Sequence, residues 1–233
     1  MNIAIIPARS GSKRIPKKNI RLFRGKPMIA WSIDTAIKSN CFDRILVSTD
    51  SEEIASIARD FGAWVPFLRP TKLSDDYSTT KEVILHCINW LNLNNFSLNY
   101  ICCLYATAPF ANSEDVKKGF KLIQSQTKDR FVFTATNFSF PIQRSIKINK
   151  NGISSMFYPE QFNIRSQDLE DAYHDAGQFY IAKPEIWVNQ ENLFENSMPI
   201  LLPNWRVQDI DQEDDWVRAE MLHEILERNS KQN

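Results

Sequence analysis

The chain has 233 residues, 43% of them hydrophobic and 24% charged, which suits one compact domain with a sizeable core. Its 28 basic and 28 acidic residues cancel, so no global field draws in nucleic acid. Four cysteines without C-x-x-C spacing and only three histidines argue against a zinc cage. With no signal peptide and no apolar run of membrane-spanning length, a cytoplasmic chain without a membrane partner is expected.

Residues 3–6, Ile-Ala-Ile-Ile, read as a buried strand. They run into Pro7-Ala8-Arg9-Ser10-Gly11-Ser12-Lys13-Arg14-Ile15-Pro16-Lys17-Lys18-Asn19. A loop at the carboxyl end of a central strand is where open α/β sheets bind ligands. Its cations and free N–H groups suit a polyanion, a nucleoside triphosphate foremost. A solvated basic loop is the other reading. The loop is neither a G-x-x-x-x-G-K-S/T phosphate loop nor a G-x-G-x-x-G dinucleotide turn. With six glycines in the chain, Gly11 should mark either a positive φ or a close approach of backbone to ligand.

The following elements alternate. Helix is expected at 27–38, strand at 44–48, and helix at 52–61 closed by Gly62. A short strand is expected at 64–68 and a helix at 79–93 capped near Ser78. Then come a strand at 100–104, a helix capped by Ser113 and a strand at 131–135. Adjacent Cys102 and Cys103 should point to opposite sheet faces. This rhythm predicts a parallel sheet with helices on both sides. Residues 143–148 and 153–156 flank Asn151-Gly152 and read as a hairpin with an Asn-Gly turn. Residues 157–173 are polar and without period, a length usually reserved for function or for a partner. Strands are expected again at 179–182 and 206–210. A last helix is expected at 214–227, with Val217, Met221, Leu222, Ile225 and Leu226 on its apolar side.

Charge is segregated along the chain. Arg9, Lys13, Arg14, Lys17, Lys18, Arg21, Arg24 and Lys26 crowd one end; Asp209, Asp211, Glu213, Asp214, Asp215, Glu220, Glu224 and Glu227 crowd the other. If the fold joins these ends, a metal–polyphosphate site becomes possible. Asp209 and Asp211, two apart on a strand, would face one way and suit Mg²⁺, which binds through one or two carboxylates plus substrate phosphates. A helix N-cap at Asp211 is the equal alternative. The run from Leu68-Arg69-Pro70 to Asp76, Ser78 and Thr80 reads as a ribose- or base-contacting loop or as a plain turn. Tyr105-Ala106-Thr107-Ala108-Pro109 ends the most buried strand.

These pieces together resemble the cytidylyltransferases that activate nonulosonic acids, the CMP-sialic acid synthetase family. The resemblance rests on Ile6-Pro7-Ala8-Arg9-Ser10-Gly11-Ser12-Lys13 with Lys18-Asn19, Ser48-Thr49-Asp50, Leu68-Arg69-Pro70 with Asp76, Ala106-Thr107-Ala108-Pro109, and Asp209-Ile210-Asp211. Tyr105 replaces the family's Gln, and Ala176-Gly177-Gln178 replaces its Asn-Gly pair; both variants look like the pseudaminic acid branch. The resemblance implies a three-layer, mainly parallel doubly wound α/β sheet of the nucleotide-diphospho-sugar transferase type. It implies one cytidylyltransferase domain over 1–233, with residues 140–173 inserted as a hairpin and irregular dimerisation element of a homodimer.

The implied reaction takes CTP and a nine-carbon keto-sugar acid to a CMP-sugar and pyrophosphate, with pseudaminic acid as acceptor ahead of legionaminic or N-acetylneuraminic acid. The product would serve surface glycan or flagellin glycosylation. By the same resemblance Arg9, Ser10, Gly11, Ser12, Lys13, Asn19, Arg69, Asp76 and Thr80 hold the nucleotide, and Lys18, Asp209 and Asp211 are catalytic. The two aspartates also bind Mg²⁺. Tyr105, Thr107, Gln143, Arg144, Arg165 and Gln178 would meet the sugar acid, the arginines through its carboxylate. A nucleotide-binding regulator without turnover is the rival from another class.

Overall fold

In a computed structural model, which describes residues 1–230, the chain runs in order through β1 (Asn2–Pro7), β2 (Leu22–Phe23), β3 (Lys26–Pro27), α1 (Met28–Ser39), β4 (Arg44–Ser48), α2 (Glu52–Asp60), α3 (Thr80–Leu93), β5 (Tyr100–Leu104), α4 (Ser113–Gln124), β6 (Val132–Asn137), β7 (Ile146–Ile148), β8 (Ser154–Met156), β9 (Tyr173–Ala182), α5 (Pro184–Asn189), β10 (Met198–Leu201) and α6 (Glu213–Ser230). The last three residues of the expected 1–233 domain, 231–233, lie outside the described residues.

Six strands form one sheet in the order β10-β6-β9-β5-β1-β4. All pairs are parallel except those of β9, which runs antiparallel between β5 and β6. The near-continuous apolar strands follow from burial on both faces. Ala4, Ile6, Cys102 and Leu104 pack with Ile29, Ile33, Ile54, Val116 and Phe120 of α1, α2 and α4. Ile3, Ile5, Ile101 and Cys103 pack on the other face with Ile84, Cys87, Ile88 and Trp187 of α3 and α5. Cys102 and Cys103 do face opposite layers, as their adjacency requires. Gly119 lets α4 settle on the sheet: a Cβ there would stand 2.8 Å from Ile181 and 3.1 Å from Phe179.

A third apolar cluster decides where the ends of the chain meet. Ile15, Phe23 and Met28 from the N-terminal segment pack with Ile210, Trp216 and Ala219 from the C-terminal one. This places α6 on the β2–β3 turn. It also turns Val217, Met221 and Ile225 outward, contrary to the expected apolar side; only Leu222 and Leu226 of that set face the cluster.

Several local expectations are corrected. Residues 64–68 form no strand: Trp64 makes a single parallel bridge to Leu46, and Pro66, lacking an N–H, ends it. Helix α3 is capped by Thr79 in a reciprocal box with Glu82, not by Ser78, and α4 is capped by Asn112, not Ser113. The hairpin strands are only three residues each, and Gln143 and Arg144 lie in a 3₁₀ turn before them. Its connection has three residues, Lys150-Asn151-Gly152, with Gly152 at φ +77° and Asn149 paired to Ile153. Residues 206–210 form no strand: Arg206 closes a 3₁₀ turn at Asn204–Arg206, and 207–210 run on without ladder bonds. Strand β9 begins at Tyr173, six residues earlier than expected.

Candidate active site

The basic loop leaves β1 at the carboxyl edge of the sheet, as anticipated. Ala8 N donates to Ser48 O at 2.9 Å, and Asn19 Nδ2 donates to Arg9 O at 2.8 Å, so the loop closes on itself across ten residues. Ser10 is pinned by Asp50, through its N at 2.8 Å and its Oγ at 2.7 Å. Gly11 does not take the positive φ that was one of its two expected roles, and a Cβ there would meet open space; the left-handed residue of this loop is Lys17, at φ 55°.

Two distant segments close over the loop. On one side, Asp75 accepts from the N–H groups of Tyr77 and Ser78 and so folds the turn that presents Asp76. Asp76 pairs with Arg9 at 2.8 Å and with Lys13. Lys13 first, then Arg9, holds its carboxyl below the usual carboxylate range. On the other side, Lys18 Nζ donates to Ile210 O at 2.7 Å and reaches Asp211 at 3.3 Å, while Arg14 meets Asp211 at 2.9 Å. Ile210 anchors this segment in the third cluster, so Asp209 and Asp211 on either side of it turn to the cavity. The alternation expected of a strand is kept by an unpaired extended segment, and the N-terminal carboxylate bonding of α6 falls to Asp215, which accepts from the N–H groups of Asp211 and Gln212.

Between these walls lies a cavity of about 350 Å³. Of the expected residues it is lined by Arg9, Ser12, Lys13, Lys18, Asn19, Arg69, Thr80, Tyr105, Thr107, Asp209 and Asp211. Asp209 stands partly open to solvent, and its carboxyl makes no hydrogen bond or ion pair among the described residues. Its pKa is raised by partial burial and by Asp211 beside it. Arg69 is 5% exposed; its Nε and Nη2 have no hydrogen-bond partner among the described residues, and burial pulls its pKa down. A buried guanidinium with idle donors beside a cavity is a group waiting for an acceptor.

A second cavity, about 470 Å³, shares Tyr105, Thr107 and Asp209 with the first and adds His174, Asp175, Ala176, Gly177, Val207 and Gln208. Tyr105 and Tyr180 meet edge to face at 5.5 Å behind the shared wall. Burial pushes the Tyr105 hydroxyl up to about 12 and raises that of Tyr180 further, so both stay neutral donors.

Ser10, Gly11 and Asp76 do not line the first cavity; Ser10 and Asp76 hold its loop in shape through Asp50 and through Arg9 and Lys13. The structure does not bring Gln143, Arg144, Arg165 or Gln178 to either cavity of this chain. Gln143 donates to Glu170 O, Arg144 gathers the carbonyls of Gln161, Phe162 and Ile164, and Arg165 pairs with Asp168. Gln178 is buried and donates to Arg206 O at 2.9 Å. Asp175 is the site residue that sequence reasoning passed over; Arg14 was counted in the basic cluster but given no role of its own. Arg14 carried a signal in its place within the loop; Asp175 carried none, because β9 was expected to begin after it.

A family model described as Cytidylyltransferase matches residues 3–152. The chain is 44% identical over 226 residues to a pseudaminic acid cytidylyltransferase of Campylobacter jejuni, covering 96% of this chain and 97% of the relative. It is 32% identical to a CMP-N,N'-diacetyllegionaminic acid synthase of Legionella pneumophila, with 96% of each covered. Among solved structures, a CMP:2-keto-3-deoxy-manno-octonic acid synthetase complexed with CTP superposes with a TM-score of 0.69 over 96% of this chain and 99% of that one. At 16% identity that likeness shows the fold alone, a nucleotide-diphospho-sugar transferase-like sheet. A loop of cations facing two carboxylates, on this fold and with these relatives, leaves one conclusion: the chain belongs to the cytidylyltransferase family.

Proposed function

We propose that this chain transfers CMP from CTP to a nine-carbon keto-sugar acid, pseudaminic acid, and releases pyrophosphate. The observation that carries the reading is the convergence of Arg9, Lys13, Arg14 and Lys18 with Asp209 and Asp211 on one cavity. The near-full-length identity to the Campylobacter enzyme supports the choice of acceptor.

The acceptor's anomeric hydroxyl oxygen forms a bond to the α-phosphorus of CTP. The bond from that phosphorus to the bridging oxygen of the β-phosphate breaks, and its electron pair leaves with pyrophosphate. Such a transfer asks the protein for positioning and charge neutralisation more than for covalent work. Arg9, Lys13 and Lys18 neutralise the triphosphate, and Asn19 and Thr80 border the nucleotide. The idle N–H groups of Arg69 donate to a buried oxygen of the nucleotide. The hydroxyl proton goes to a carboxylate of the Asp209/Asp211 pair.

The same pair suits Mg²⁺. The Asp209 carboxyl has no hydrogen bond or ion pair among the described residues, and two carboxylates beside a phosphate cradle are the ligand set such a hard cation uses. When bound, the ion would neutralise charge on phosphate oxygens.

Residues 1–233 act as one catalytic unit in this reading, in the cytoplasm where CTP is made. Residues 140–173 serve as the dimerisation element, since Ile146, Ile148, Ile153, Phe157 and Phe162 are exposed there together. Gln143, Arg144 and Arg165 then act at the partner subunit's site or hold the element's shape.

The test is an end-point assay with CTP, Mg²⁺ and a panel of nonulosonic acids, read by mass spectrometry. CMP-pseudaminic acid should dominate. Turnover of legionaminic acid instead would move the acceptor to the next reading, and CTP binding without any CMP-sugar would reduce the chain to a nucleotide-binding regulator.

A further inference from the structure

We propose that Asp175 is the residue that selects the acceptor, by accepting a hydrogen bond from an amide N–H on the sugar acid. The inference rests on the cytidylyl-transfer reading above. Its starting point is the second cavity. At about 470 Å³ it lies in the size range of small-molecule sites, and it shares Tyr105, Thr107 and Asp209 with the nucleotide cavity. An acceptor must lie against the α-phosphate, so the space behind that common wall is where it can reach.

Asp175 is the fixed polar group of that space. Its Oδ1 accepts from Gly177 N at 2.9 Å, and its Oδ2 accepts from the Tyr180 hydroxyl. Gly177, at φ +61°, bends the chain so that its own N–H returns to the side chain two residues before. Tyr180 is buried, stacked on Phe133 and wedged against Tyr105, so the donor that aims Asp175 cannot wander. A carboxylate offers about four acceptor sites, and two are used. No Lys, Arg or His of the described residues forms an ion pair with it. What remains is a rigid, acceptor-only oxygen pair facing a cavity.

Such a group rewards an N–H donor and penalises its loss. An acceptor without the donor would leave the two remaining acceptor sites of the carboxylate desolvated and unfilled, the kind of mismatch that discriminates far more strongly than a missing methyl group. Asp209, on the same wall, makes the cavity anionic, so the acceptor's carboxylate cannot lie against Asp175. Asp175 therefore meets the acylamino part of the sugar.

The experiment compares the wild type with Asp175→Ala and Tyr180→Phe, using two nine-carbon keto-sugar acids that differ only in an acylamino group against a hydroxyl. CTP binding by calorimetry reports the fold of each variant. The wild type should prefer the acylamino acid by at least about tenfold in kcat/KM. Asp175→Ala should lose most of that preference through a raised KM, with CTP affinity changed less than about twofold. Tyr180→Phe, which frees Asp175 to move, should fall between. Preference undiminished in Asp175→Ala overturns the proposal. Wild-type protein that binds CTP but makes no CMP product from either acid fails the underlying reading instead.

Discussion

Lys18 Nζ lies 2.7 Å from the carbonyl oxygen of Ile210 and 3.3 Å from the carboxylate of Asp211, residues 192 and 193 positions further along the chain. This contact joins the basic loop to the acidic segment and sets a cation beside the two carboxylates. Lys18→Met should lower kcat by roughly 10²–10³-fold, the usual loss when one donor to developing charge is removed. The circular dichroism spectrum should not change. A variant with wild-type kcat would remove Lys18 from the chemistry.

Asp211 balances Lys18 and Arg14 and is proposed to share a cation with Asp209. Asp211→Asn should lose turnover on the order of 10²-fold or more, in line with the loss of an electrostatic group at a reacting phosphate. The residual rate should no longer climb with added Mg²⁺. Removing divalent ions from the wild type with a chelator should stop pyrophosphate release, and restoring Mg²⁺ should recover it. Pyrophosphate release that is indifferent to chelator would exclude the metal.

Arg69 makes a prediction with opposite signs. Its buried Nε and Nη2 have no hydrogen-bond partner among the described residues, and a buried donor left so costs stability. Arg69→Met should raise the Tm of the nucleotide-free protein. It should also weaken CTP binding by about 10–100-fold, since a hydrogen bond to a charged group is worth about 1.5–3 kcal/mol and 1.4 kcal/mol is tenfold. Calorimetry and thermal melts on one sample check both; a fall in Tm together with unchanged CTP affinity sinks the assignment.

Asp115 and Arg206 form a largely buried ion pair between the first turn of α4 and the segment leading to Asp209. Arg206 also presents its carbonyl to Gln178. Breaking a buried pair by removing one partner costs roughly 3–5 kcal/mol. Asp115→Ala should therefore lower stability by an amount of that order in urea melts. Arg206→Met with Asp115→Leu together should recover much of it, which a purely local packing defect at Asp115 would not allow.

His223 and His86 set the response to acid. Burial lowers both pKa values below 6.5; Arg24 and Lys26 push His223 the same way against Glu227, and Arg69 and Lys72 do so for His86. Both therefore resist protonation in the native state more than in the unfolded chain. Below about pH 6.5 the unfolded chain takes up these protons first, so stability is lost as pH falls through that value. His223→Gln should flatten the slope of Tm between pH 7.5 and 5.5, measured against wild type. An unchanged slope would mean that His223 does not carry it.

The local order of the chain was legible because its causes are local. Alternating apolar runs and turn residues located β1, β4, β5, α1 and α3 to within a residue or two, and the opposite facing of Cys102 and Cys103 follows from pleat geometry. Where competing acceptors stood side by side, as at Ser78–Thr79 and Asn112–Ser113, the sequence could not say which would cap; the structure chose the residue whose oxygen met the third N–H. It also could not foresee the early start of β9. Residues 173–178 owe their strand to pairing with β6, a partner about forty residues earlier, and so Asp175 was missed.

The basic loop and the Asp209/Asp211 pair were each readable from sequence as half of a charged site. Their union was decided in three dimensions. Ile15, Phe23 and Met28 bury their surface against Ile210 and Trp216, and that apolar contact brings a basic loop and an acidic segment within 3 Å of each other. Gln143, Arg144 and Arg165 show the converse: their chemistry suits a sugar acid, but the path of the hairpin keeps them from both cavities of their own chain. Residue type determines what a side chain can bind, while packing of residues far apart in sequence determines what it meets.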